Sequence, residues 1–168
     1  FKYHDEIYQI RESFEEKEVS LYRLLIYPDK WVKEAKLLSN FQGIDSTLFY
    51  YNNKWWMFTS EKGNGHSYKL YIYYSSSLSG TWEEHCNNPV KIDVKSCRGA
   101  GNIIKIDNDY YRPSQDYSKY YEGSITINKI EILNEIEYLE TPVSNILPLK
   151  KSSYNSKIHT ISHFNDIV

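Results

Sequence analysis

Asn52-Asn53-Lys54-Trp55-Trp56-Met57-Phe58, followed by Leu70-Tyr71-Ile72-Tyr73 and then Gly80-Thr81-Trp82, is the clearest of three copies of one pattern. The copy before it reads His4-Asp5-Glu6-Ile7-Tyr8, Leu21-Tyr22-Arg23-Leu24 and Asp29-Lys30-Trp31. The copy after it reads Asp107-Asn108-Asp109-Tyr110-Tyr111, Ile125-Thr126-Ile127 and Ile136-Glu137-Tyr138. Equivalent aromatics lie 48 (Tyr8 to Trp56), 51 (Trp31 to Trp82), 55 (Trp56 to Tyr111) and 56 (Trp82 to Tyr138) residues apart. A repeat of roughly fifty residues, built from aromatic strand formers and punctuated by turn residues, is the pattern of a blade-built propeller.

Within the central copy, Ile44 to Tyr51 predicts a first strand, and the Asn52-Asn53 pair supplies hairpin residues that tolerate positive φ. Lys54 to Thr59 returns, a loop with Gly63, Asn64 and Gly65 follows, Tyr68 to Tyr74 forms a third strand, and Ser79-Gly80 turns into an outer strand around Trp82. The expected fold is therefore all-β: a partial β-propeller of about three four-stranded antiparallel blades. One domain spans 1–168, with blades at about 1–40, 41–94 and 95–150 and the start of a further blade at 157–168. Phe1 to Tyr3 reads as the tail of a strand, Glu6 to Glu12 as a second strand, and His159 to Phe164 as a new innermost strand turning at Asn165-Asp166. Both ends thus fall mid-blade, and open strand edges favour either further blades from a longer chain or self-association of copies. Lys129 to Tyr138 spaces its apolar residues so that a short helix also fits, and Pro142 to Lys151 reads as a connector.

Composition narrows the function classes. The chain has 168 residues, 40% of them hydrophobic, enough for one domain with a real core. Seventeen Tyr, four Trp and six Phe favour strands over helices. A net charge of −2 with interspersed signs provides no basic stripe, which argues against nucleic acid as a partner. No run approaches the ~18 apolar residues of a membrane-spanning helix, and a cytoplasmic location is the expectation. Two cysteines, Cys86 and Cys97, fall far short of a disulfide scaffold, although one bridge between them would be open in an oxidising compartment. His85-Cys86 lacks the second pair that a zinc site needs, so neither metal nor other cofactor is expected.

Four stretches resemble one family, the propeller-like N-terminal domain of the glucosamine inositolphosphorylceramide transferases, which also occurs in bacterial proteins linked to surface-glycan synthesis. They are Ser20-Leu21-Tyr22 with Trp31; Ile44-Asp45-Ser46-Thr47 with Lys54 to Phe58; Leu78-Ser79-Gly80-Thr81-Trp82 with His85 and Asn88-Pro89-Val90; and Tyr111-Arg112-Pro113-Ser114-Gln115-Asp116-Tyr117-Ser118. The resemblance runs from about Ile7 to His159. It implies kinship with five-bladed furanosidase-type glycosidases, which set an acidic group on successive blades around a central funnel. The pattern maps onto Glu12, Asp45, Arg98, Arg112, Gln115 and Asp116. The blade that would precede Phe1, where such glycosidases keep a catalytic aspartate, and the transferase module that often accompanies the domain are both outside this sequence, which argues against activity of this stretch alone.

In a propeller, polar residues at the starts of innermost strands converge on one mouth of the channel. Asp45 sits at such a start and would orient a sugar hydroxyl or tune a neighbouring acid, unless it satisfies backbone donors between blades. Glu12, Ser60 and Gln115 end the second strands of three successive copies. Alternation from Tyr8 and Ile10 points Glu12 to the packed side, where burial would raise its pKa as a general acid requires; an ion pair with Arg11, Arg23 or another cation is the alternative. Arg98, followed by Gly99-Ala100-Gly101, is expected at the start of the next innermost strand, where it would clamp a carboxylate or phosphate of a sugar nucleotide or acidic sugar, or bridge to Asp45 or Glu12. Arg112 precedes Pro113, which suggests an edge or bulge, and with Gln115 and Asp116 it forms either a sugar-binding group or a structural polar knot. Trp55 and Trp56 face opposite sides of their strand; one packs inward and the other would offer a ring to a sugar. His66, His159 and His163 stand isolated, and no serine-histidine-acid or phosphate-loop pattern is present.

The sequence thus assigns Glu12 and Asp45 as catalytic candidates, and Arg98, Arg112, Gln115, Asp116 and Trp55 as substrate-binding candidates. The function expected is recognition or processing of carbohydrate in glycan assembly, with a sugar or sugar nucleotide as ligand. The competing class is a noncatalytic propeller that serves as an interaction or assembly module.

Overall fold

A computed structural model describes residues 1–13, 15–63, 68–149 and 156–162. Thirteen strands are assigned among the described residues, and they form three antiparallel sheets. The first holds β1 (Lys2–Tyr3), β2 (Glu6–Ser13), β3 (Glu18–Ile26) and β4 (Lys30–Ser39), paired in chain order. The second holds β5 (Gly43–Tyr51), β6 (Lys54–Glu61) and β7 (Lys69–Ser75), with its outer edge divided between two short strands on β7, β8 (Glu83–Glu84) and β9 (Lys91–Ile92). The third holds β10 (Ile104–Ile106), β11 (Asp109–Asp116), β12 (Ser124–Leu133) and β13 (Tyr138–Ile146). The chain is all-β, a partial propeller of three successive blades, and no described helix is long and apolar enough to cross a membrane.

Turn chemistry starts two of the blades in the same way. His4 and Asp5 (φ 46° and 63°) join β1 to β2, and Asn52 and Asn53 (φ 51° and 61°) join β5 to β6. Paired positive φ values give the hairpin a twist that matches its strands.

Alternation then builds two cores from one strand. Trp55 and Met57 of β6 face the first sheet, where Val19, Leu21, Leu37, Leu38, Phe41 and Leu78 complete a cluster. Trp56 and Phe58 face the third, in a cluster with Leu70, Ile72, Cys97 and Leu133. Because β6 is covered on both faces, its run reads as continuously apolar. Edge-to-face contacts tie the blades together: Tyr3 to Trp55 at 5.0 Å, and Tyr51 to Tyr110 at 5.1 Å.

Four local readings are decided by the backbone. Lys129 to Leu133 is strand, and its helix-like spacing comes from a register shift between Ile130 and Ile132, which turns both Ile130 and Leu133 toward the second cluster. Pro142 lies inside β13 and not in a connector; it sits in an edge strand opposite the shift between Ile127 and Asn128, where proline is tolerated. Pro113 lies in a central strand, yet on its inner side the β10 ladder ends at Tyr111 and resumes only as a Gly99–Ser114 bridge. The segment 156–162 has no strand; it is held by Ile158 N–H to Glu122 O (2.9 Å) and Ile161 N–H to Ala100 O (2.8 Å). Its predicted continuation through His163, Asn165 and Asp166, like His66, lies outside the described residues.

Candidate functional site

Glu12, Ser60 and Gln115 are the penultimate residues of β2, β6 and β11, so each second strand presents one polar side chain at the same end of its blade. Asp45 lies at that end of the second sheet, three residues into β5, where the register with β6 shifts between Ile44 and Thr47. Its φ is 50°, a left-handed value that Asp adopts more readily than most residues. The twist turns the Asp45 N–H out of its own ladder and onto the Glu12 carboxylate. Its side chain pairs instead with Arg98, through Nε to Oδ2. Three blades therefore meet in a chain of contacts from Glu12 through Asp45 to Arg98.

The third blade braces that chain. Gln115 donates its backbone N–H to Arg98 O (2.8 Å) and its Nε2 to Gly99 O (2.7 Å). Tyr117 Oη donates to Gln115 Oε1 at 3.0 Å, and the Arg98 guanidinium lies 5.5 Å from the Tyr117 ring centroid. A Cβ at position 99 would come within 2.8 Å of Asp45 O, so glycine there is what lets the two backbones touch.

Desolvation by burial raises the Glu12 pKa, against the lowering effect of the Asp45 N–H. Burial also works against the charge on Arg98, but the Asp45 carboxylate outweighs it and raises the Arg98 pKa. The result is an ion pair, Asp45 with Arg98, beside a carboxyl that retains its proton to higher pH than an ordinary glutamate. Such a carboxyl suits proton donation to a leaving oxygen. The alternative of an ion pair from Glu12 to Arg11 or Arg23 does not form: Arg11 lies over the Tyr22 ring, and Arg23 pairs with Glu6 and Glu34.

Several sequence candidates fall elsewhere. Arg112 is 2% exposed and bonds Glu140 through Nε (2.8 Å) and Nη2 (2.6 Å), while its remaining donors reach Cys97 O and Ser96 O. Buried among these partners, Arg112 fits the structural-knot alternative rather than a ligand-binding role. Trp55 is 5% exposed and packed by Phe1, Tyr3 and Tyr50, because the first sheet covers the face that alternation alone left open. Gln115 is fully buried and acts on Tyr117 and Gly99 rather than on solvent. Asp116 points away from Gln115, takes the Ser118 N–H at 2.7 Å and lines a separate groove. Ser60 is fully buried, and its Oγ has no hydrogen-bond partner among the described residues. No group of three or more His, Cys, Asp or Glu among the described residues is arranged to hold a metal.

Sequence reasoning missed Tyr117 as the ring beneath Arg98 and Glu140 as the partner of Arg112. Tyr117 stands two residues past Gln115 in the most distinctive stretch of the chain, which was a usable signal. Glu140 is 28 residues from Arg112 on a different strand and carried none.

The family model described as glucosamine inositolphosphorylceramide transferase 1, N-terminal, matches residues 1–167. The rice (Oryza sativa subsp. japonica) protein of that name is 39% identical over 149 residues, covering 86% of this chain and 20% of its own length. The Arabidopsis thaliana protein is 33% identical over 175 residues, covering 99% of this chain and 22% of its own length. The chain thus spans about a fifth of the curated relatives it matches. Among solved structures, the exo-β-1,3-galactanase of Clostridium thermocellum superposes with a TM-score of 0.62 at 16% identity, over 99% of this chain and 37% of that one. A variant of the Phanerochaete chrysosporium exo-β-1,3-galactanase with β-1,3-galactotriose gives 0.63 at 12% identity, over 88% and 37%. These likenesses show the fold.

Proposed function

The chain belongs to the N-terminal family of glucosamine inositolphosphorylceramide transferase 1, and from that membership we propose that it recognises or processes carbohydrate during glycan assembly. The observation that carries this reading is the convergence of Glu12, Asp45 and Arg98 from three blades, with the Glu12 pKa raised. In a glycosyl-transfer or hydrolysis reaction Glu12 protonates the departing oxygen as the anomeric C–O bond breaks and an acceptor hydroxyl or water bonds to the anomeric carbon, while the Asp45–Arg98 pair fixes the position of Glu12 through the Asp45 N–H and the Tyr117 ring flanks the guanidinium. A sugar or sugar nucleotide is the ligand, and the rest of the protein supplies whatever further groups the reaction needs. A cytoplasmic setting belongs to the same proposal.

One observation favours a second reading, the noncatalytic module. Asp45 is already bonded to Arg98, and Glu12 to a backbone N–H, so the cluster also serves as an interblade clasp. The full-length protein separates the two. In the enzyme reading, Glu12→Gln abolishes sugar transfer or hydrolysis, followed by release of labelled monosaccharide, and leaves sugar binding intact. Unchanged turnover in that variant, or no turnover in the wild type with retained binding of a protein partner, sinks the catalytic role.

A further inference from the structure

A groove one residue away from the Glu12–Asp45–Arg98 cluster is not used by the reading above. It consists of two adjoining depressions, of about 220 and 340 Å³, that share Asp116 and Asn145 as their common wall. Alternation along β11 makes the link: Gln115 braces the cluster on one face of the strand, and Asp116 opens into the groove on the other.

Its lining is amphipathic in a way that suits a sugar ring. Tyr120 is 52% exposed, its ring lying so close to Gly123 that a Cβ there would stand 3.4 Å from a ring carbon. With Leu147 and Pro142 it offers apolar surface to the C–H face of a pyranose or furanose. Hydroxyl partners stand opposite. Asp116 uses Oδ1 on the Ser118 N–H, and no described residue takes Oδ2. Asn145 turns its Nδ2 to Ser124 Oγ (3.1 Å) and Thr126 Oγ1 (3.4 Å), which leaves its carbonyl oxygen to accept from a ligand hydroxyl. The charges cancel: Lys95 and Lys119 are offset by Asp93 and Asp116, so nothing here selects a phosphate or carboxylate.

We propose that this groove is an accessory binding subsite for a neutral oligosaccharide, holding sugar residues that extend beyond the one seated at Glu12. The proposal rests on the carbohydrate reading of the cluster and adds the substrate class: a chain of at least two neutral sugar units rather than a free monosaccharide.

Calorimetric titration of the full-length protein with linear neutral oligosaccharides of one to six units, β-1,3-galactotriose among them, tests it. Expected is tighter binding of the longer members. Tyr120→Ala and Asn145→Ala, both at exposed positions, each lower that affinity by about tenfold, the loss of one good contact, and leave monosaccharide binding unchanged. If groove variants bind oligosaccharides as the wild type does while monosaccharides still bind, the groove assignment is overturned and the cluster reading stands. Preference for an acidic over a neutral oligosaccharide likewise overturns it. If no sugar of either kind binds the wild type, the carbohydrate reading falls and the subsite with it.

Discussion

Asp45 gives its backbone N–H to the carboxylate of Glu12, a residue 33 positions earlier on the neighbouring blade. The bond exists because Asp45 takes a left-handed φ at a register shift, which frees its N–H from β6 while its side chain turns to Arg98. One residue thereby ties three blades together, and the state of Glu12 becomes a property of the packing.

The Glu12 pKa is raised by burial, so the native protein holds its proton to higher pH than the unfolded chain does. Between the ordinary value of 4.5 and the raised one, stability therefore falls as pH rises, because ionising Glu12 is costlier in the folded state. Denaturant unfolding at a series of pH values should show this decline in the wild type and a flatter profile in Glu12→Gln. An identical slope in both would remove the assigned desolvation.

Gly99→Ala places a methyl group 2.8 Å from Asp45 O. Expected is a loss of about 1–3 kcal/mol, the usual range for overpacking, together with loss of the Glu12-dependent pH slope as Asp45 is pushed away. A variant with wild-type stability and slope would show that the two backbones have room to part.

Arg112 and Glu140 form a buried pair, and Tyr138 and Lys91 also reach the Glu140 carboxylate. Burial opposes ionisation of Glu140, but the Arg112 guanidinium overcomes it and lowers the pKa. Arg112→Met leaves a buried carboxylate short of its main partner and should cost about 3–5 kcal/mol. Adding Glu140→Leu should recover much of that, and the double-mutant cycle measures the coupling. Equal, additive losses would contradict the pairing.

Glu18 is 4% exposed and sits between Lys33 and Lys36 with Ser20 beside it. The Lys33 contact first, then Ser20 and Lys36, lower its pKa to about 2. Its contribution to stability is complete above the ordinary 4.5 and is lost as pH falls toward about 2. Acid unfolding of Glu18→Gln should thus lack a part of the transition that the wild type shows in that window, with the difference reduced by added salt because both lysines are open to solvent.

The two thiols should differ in reactivity. Cys86 is exposed, whereas Cys97 is fully buried and its pKa is pushed up to about 11 by burial. At pH 8 a disulfide reagent should label one thiol rapidly and the second only on unfolding, with the fast site lost in Cys86→Ser. Rapid labelling of both would place Cys97 nearer the surface than it is here.

Sequence alone determined the things that neighbours along the chain decide. The fifty-residue repeat, the Asn52-Asn53 hairpin and the alternating aromatics of β6 are local: two positive-φ residues fix the turn, and pleating sends successive side chains to opposite faces whatever lies beyond. The placement of Glu12 and Asp45 at one end of their blades followed from the same periodicity, whereas Arg98, expected at the start of an innermost strand, lies in the irregular segment before β10. Tertiary structure alone decided which sheet covers which face. Trp55 and Trp56 are both buried because β6 lies between two blades, and the dipeptide does not say which sheet covers which ring. Arg112 became structural once β13 carried Glu140 alongside it, and Asp116 parted from Gln115 into its own groove. A charged side chain's role depends on the partner that desolvation forces on it, and that partner is chosen by strands distant in sequence.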